Sequence, residues 1–139
     1  MESPVMEQET TMSKVLGTHI ILDFYGCKPE LIMHVCDVQS VMRQAARLAN
    51  FTVVTEEYHQ FVPHGVSGAT IIQESHLTFH GWAEFCYASI DIFYCGENPF
   101  VDECIDFLKD AFQAQHVERE DIPRGIPSQY RMFLQKEPA

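Results

Sequence analysis

Long apolar runs are missing from this chain of 139 residues. No stretch approaches the roughly 18 consecutive apolar residues that a membrane-spanning helix requires. The opening stretch from Met1 to Ser13 is polar and acidic. It lacks the basic start and apolar centre of a secretory leader, so a cytoplasmic protein is expected. Ordered pattern begins near Val15. Residues 1–13 therefore read as a disordered extension, and Met12 as a second candidate start. Basic residues are scarce, 9 Lys and Arg against 20 Asp and Glu, for a formal net charge of -11. That balance disfavours a nucleic-acid binder, whose phosphate contacts need basic patches, and none is expected. The 5 cysteines are odd in number and contain no CxxC pair. Neither a disulfide framework nor a zinc ribbon is expected, and at least one thiol is read as free, which fits a reducing compartment.

What is present is the pattern of one domain over residues 14–139, long enough to bury an ordinary core. Leu16 to Tyr25 reads as a strand closed by Gly26. Pro29 opens a helix whose apolar positions (Leu31, Val35, Val38, Val41, Met42, Ala45, Ala46, Leu48) recur at helical spacing to about Asn50. Phe51 to Glu57 is a strand candidate, and Tyr58 to Gly68, with Pro63 and two glycines, a loop or irregular strand. Ala69 to His80 reads as a strand, Gly81 to Glu84 as its turn, and Phe85 to Cys95 as the return. Asn98 and Pro99 open a second helix to about Gln113. His116 to Glu120 reads as a last short strand. The order predicts an α+β fold, an antiparallel sheet with two helices on one face.

Chemistry-bearing side chains crowd between His59 and Gly96, centred on Glu74-Ser75-His76-Leu77-Thr78-Phe79-His80. On a strand, parity separates Ser75 from His80. His76 and His80, four residues apart, would lie roughly 13 Å apart along a strand, too far to share one metal, so no metal site is expected. Gly65-Val66-Ser67-Gly68 is one residue short of a hydrolase nucleophile elbow, and no protease signature surrounds Cys95. Each residue also has a plain structural role open to it. Ser75, His76 and His80 can be the polar side of a half-buried sheet, Cys95 a small hydrophobe, Phe61 core, and Glu84 a solvated turn residue. Cys27, Cys36, Cys86 and Cys104 read as packing residues, and His59, His64 and His76 as structural.

Taken together, the spacing His59-x-Phe61-x-Pro63-x-Gly65-Val66-Ser67-Gly68, Glu74-Ser75-His76-Leu77-Thr78-x-His80, Trp82-x-Glu84 and Asp91-x-Phe93-x-Cys95-Gly96 resembles the small prokaryotic S-adenosylmethionine decarboxylase proenzymes. The likeness runs from about Leu16 to Gln113. It implies a decarboxylase-like sandwich fold and a chain that cuts itself between Glu74 and Ser75 into a β chain (1–74) and an α chain (75–139). It implies that Ser75 attacks the Glu74 carbonyl and becomes a covalent pyruvoyl cofactor, that Ser67 assists, and that His80 takes the α-proton. Cys95 would reprotonate the substrate carbon, and Phe61 and Glu84 would hold adenine and ribose. S-adenosylmethionine is the implied substrate, its product an aminopropyl donor for spermidine synthesis, and a homodimer the implied assembly. The chemistry is coherent, because decarboxylation leaves an electron pair and no ordinary side chain offers a carbonyl to accept it.

Two positions depart from the family pattern. Ala83 stands in place of proline and His64 in place of tyrosine, both beside the implied nucleoside site. An altered pocket on this scaffold could take ornithine or arginine instead, and a non-catalytic binding subunit is the alternative from another class. Presence of Ser75, His80 and Cys95 speaks against the latter.

Overall fold

The computed structural model describes residues 14–135; the expected disordered extension over residues 1–13 lies outside them. Six strands form one antiparallel sheet in the order β2-β3-β4-β5-β1-β6: β1 (Gly17–Tyr25), β2 (Val53–Gln60), β3 (Val66–Ile72), β4 (Ser75–Trp82), β5 (Tyr87–Cys95) and β6 (His116–Arg124). Two helices, α1 (Val35–Leu48) and α2 (Val101–Ala111), pack on one side. A short α3 (Pro127–Tyr130) occupies the tail left unassigned by sequence, tied back by the Tyr130 hydroxyl, which donates to the Lys14 carbonyl at 3.0 Å.

Alternation builds the core. Ile20, Leu22 and Phe24 of β1, Leu77 and Phe79 of β4, and Ile90 and Ile92 of β5 are fully buried on one sheet face. Against them lie Val38, Met42, Ala45 and Ala46 of α1 and Val101, Cys104, Ile105 and Leu108 of α2, each set at helical spacing. Full burial of such a side chain stabilises by roughly 1.5–3 kcal/mol. The other sheet face carries His19, Ser67, His76, His80 and Asp91, all half-exposed or exposed. Among the described residues no helix is long and apolar enough to cross a membrane.

Three elements differ from the sequence expectation. The helix expected from Pro29 starts as a 3-10 turn (Pro29–Leu31), and α1 begins only at Val35. Its first N–H is satisfied from outside, by the Gln60 side-chain oxygen at 2.8 Å. The strand expected over Ala69 to His80 is two strands, β3 and β4, joined by the tight turn Gln73-Glu74. Neither residue is a usual hairpin former. The turn is held from elsewhere: Gln73 N–H donates to the Thr52 carbonyl at 2.9 Å, and Thr52 N–H to the Glu74 carboxylate at 3.0 Å. Lastly, β6 pairs with β1 over nine residues, Gly17↔Arg124 to Tyr25↔His116, rather than ending near Glu120. Gly68 faces the ring of Tyr58, where an added Cβ would come within 2.1 Å of Cδ2, so only glycine fits.

Candidate active site

The sheet distributes the seven candidate residues over two separate ends. At one end are Glu74, Ser75 and Cys95. Ser75 opens β4 opposite Tyr94 of β5, and Cys95 is the next residue on that strand. The Cys95 N–H donates to the Glu74 carbonyl at 3.0 Å. That main-chain donor pulls electron density from the carbonyl carbon next to the Ser75 hydroxyl. Ser75 itself has φ 151°, a region that L-residues avoid at about 1–3 kcal/mol each. Glu74 and Cys95 also line a cavity of about 210 Å³ with Phe51, Asn98, Pro99 and Phe100. Asn98 fixes its rim, donating to the Ala49 carbonyl at 2.7 Å and accepting from Phe100 N–H at 2.8 Å.

At the other end are Ser67, His80, Glu84 and Phe61. Ser67 and His80 are register partners across β3 and β4, and the His80 Nδ1 lies 2.9 Å from the Ser67 hydroxyl oxygen. Glu84 stands on the 3-10 turn Ala83–Phe85, with its Oε2 at 3.1 Å from His64 Nε2. Phe61 is half-exposed and meets the His59 ring edge-on, centroids 4.6 Å apart. The loop bearing Phe61 and His64 is anchored by Gln60. Its amide group donates to the carbonyls of Met33 (3.0 Å), Phe61 (3.2 Å) and Gly65 (3.0 Å) and its oxygen takes the α1 N–H. Sequence reasoning did not single out Gln60, which fell inside the expected loop or irregular strand from Tyr58 to Gly68; no local signal marked it.

Ser75 and His80 are not brought together within one chain. Five positions of β4 separate them, roughly 17 Å at about 3.4 Å per residue. Within one chain the Glu74–Ser75 end and the Ser67–His80 pair therefore stand apart. Between the two ends, on the open face, lies a cluster around Phe93. His19 meets its ring at 5.8 Å and His76 at 5.5 Å, Arg124 lies 5.3 Å over it, and Asp91 is 3.7 Å from His19. The Nε2 of His19 is buried with no hydrogen-bond partner. Burial, then the neighbouring His19, hold the His76 imidazole below its usual value, against the opposing pull of Asp91.

Comparison with known proteins agrees with this arrangement of strands. The family model described as S-adenosylmethionine decarboxylase matches residues 18–125. The S-adenosylmethionine decarboxylase proenzyme of Acidithiobacillus ferrooxidans is 44% identical over 110 residues, covering 79% of this chain and 83% of that one. The proenzyme of Thermotoga maritima is 42% identical over 112 residues, covering 81% and 86%. The crystal structure of the adenosylmethionine decarboxylase from Aquifex aeolicus superposes with a TM-score of 0.77 at 28% identity, covering 91% of this chain and 98% of that one. The chain belongs to the S-adenosylmethionine decarboxylase family.

Proposed function

We propose that this chain cuts itself between Glu74 and Ser75 and then decarboxylates S-adenosylmethionine with the pyruvoyl group so formed. The observation that carries this reading is the pinned Glu74 carbonyl beside a strained serine. The residues at this end fit such a group: a serine at a strand start, an upstream carbonyl held by a main-chain donor, and the Cys95 thiol on the adjoining strand. The Ser75 hydroxyl attacks the Glu74 carbonyl and the peptide bond rearranges to an ester, with the Cys95 N–H stabilising the oxygen as it gains charge. Removal of the Ser75 α-proton expels the Glu74 carboxylate. The dehydroalanine left behind tautomerises and hydrolyses, releasing ammonia.

The base for that step is His80, oriented by Ser67, and the 17 Å spacing supports its coming from a second copy. We infer a homodimer in which the open faces meet, bringing His80 of the partner subunit to the Glu74–Ser75 end, where the φ of 151° at Ser75 interrupts the strand alternation. The cavity at the cut-site end argues the same way, because 210 Å³ falls short of the roughly 300–1,000 Å³ of ligand pockets. Phe61 and Glu84 of the partner subunit complete it, the ring stacking on adenine and the carboxylate accepting ribose hydroxyls. When bound, the pyruvoyl carbonyl takes up the electron pair left by departing carbon dioxide. The Cys95 thiol, on the open face and exposed, delivers a proton to the substrate carbon.

The test is the denatured intact mass of freshly purified protein, with an assay of carbon dioxide release from S-adenosylmethionine. Fragments 1–74 and 75–139, the second without a free amino terminus, together with activity, are expected. A chain that stays whole on long incubation overturns the reading.

A further inference from the structure

Two cysteines that the decarboxylase chemistry leaves unused are joined through their main chains at the Glu84 end. Cys27 follows β1 after the turn at Gly26 and is buried. Cys86 closes the 3-10 turn Ala83–Phe85 that carries Glu84, is half-buried, and adopts a left-handed backbone at φ 52°. The Cys27 N–H donates to the Cys86 carbonyl at 2.9 Å, while the Cys86 N–H returns to the Ala83 carbonyl at 3.1 Å. This bond runs one way only, and the covalent geometry on either side of it holds the two Cα atoms within about 6.8 Å of each other, the upper end of the roughly 4.4–6.8 Å span of a disulfide. The side chains sense each other too: burial, then the Cys86 thiol, push Cys27 up to about 11.

We propose that Cys27 and Cys86 form a reversible disulfide that clamps the Glu84 turn and, once the chain is cut, ties its two fragments together. The second consequence rests on the self-cutting reading above: Cys27 lies in fragment 1–74 and Cys86 in fragment 75–139. The oxidant is a small-molecule disulfide. The more exposed Cys86 attacks as thiolate, breaking the reagent's S–S bond, expelling one thiolate and leaving a mixed disulfide. The Cys27 sulfur, surrendering its proton to solvent, attacks the Cys86 sulfur, breaks that bond and expels the second thiolate. Two cysteines are oxidised by two electrons, and the reagent is reduced to two thiols that take up the two protons.

The test equilibrates purified protein in oxidised and reduced glutathione buffers, quenches in acid and alkylates free thiols. Denaturing electrophoresis without and with reductant follows, then peptide mass mapping. The expected result in oxidised buffer is one band that splits into two on reduction, with a peptide pair joining Cys27 to Cys86. Two bands without reductant in oxidised buffer overturn the proposal and leave the cut standing. A single band under every condition means that cutting has failed; peptide mapping then decides the disulfide alone, the linked pair supporting it and its absence overturning it. Cys86→Gly keeps the turn, because glycine adopts positive φ freely, and should abolish the linkage. Linkage that persists in that variant assigns it to another pair and overturns the proposal.

Discussion

The His64 imidazole holds the Glu84 carboxylate, Nε2 to Oε2 at 3.1 Å, from a loop twenty residues upstream. His64 is one of the two positions expected to depart from the family pattern, and its contact gives the ribose-binding candidate a fixed neighbour. Both side chains are partly exposed, 33% and 48%, and such pairs contribute about 0.2–1 kcal/mol. His64→Phe should therefore raise KM for S-adenosylmethionine by up to about fivefold, with kcat and self-cutting unchanged. Steady-state kinetics on the fully cut protein checks it, and an unchanged KM removes His64 from the site.

Separation of Ser75 from His80 gives a complementation test. Ser75→Ala and His80→Ala each should remain whole when expressed alone. Co-expressed, they form mixed dimers in which one site joins Ser75 of one chain to His80 of the other. The His80→Ala chain should then be cut, and intact mass tells which chain was cleaved. If neither chain is cut in the mixture, the shared-site geometry is wrong.

In the proposed reaction Cys95 would act twice through different atoms, its main-chain N–H in cutting and its thiol in turnover, so Cys95→Ala should cut at close to the normal rate. Decarboxylation should fall by roughly 10²–10⁴-fold, the usual contribution of a positioned acid. Single-turnover rates on the cut variant separate the two, and full turnover would free the thiol of its role.

Protonation of His76 is resisted by burial and by His19. Its folded pKa lies below the ordinary value of 6.5, so between the two the unfolded chain binds more protons than the folded one. Stability therefore falls as pH drops below about 6.5. The denaturation midpoint should decline through that range, and His76→Gln should flatten the decline. An equal slope in the variant assigns the effect elsewhere.

Legibility in the sequence followed where each element finds its partners. Strands β1 and β5 and both helices bury faces written in their own residues, so alternation and helical spacing located them. The Gln73-Glu74 turn was not legible, because ordinary residues are bent there by bonds from Thr52 and Cys95. Gln60 was hidden for the same reason, since its contacts lie in the α1 entry and the following loop. The motif spacing named Ser67 and His80, and the register of β3 on β4 makes them neighbours. Their separation from Ser75 was legible as well, because the expected strand Ala69 to His80 already held all of Ser75 to His80 in one extended run.

The sheet order β2-β3-β4-β5-β1-β6 decides what a cut at Glu74 does to the molecule. One piece keeps β1, β2 and β3, and the other β4, β5 and β6. Strand β1 lies between β5 and β6, so the pieces are interleaved rather than abutted. Parting them means tearing the β3–β4, β5–β1 and β1–β6 ladders at once and withdrawing a strand from the buried core. The nicked protein therefore has no gentle dissociation: its fragments stay mated under dilution, and losing one another is the same event as unfolding.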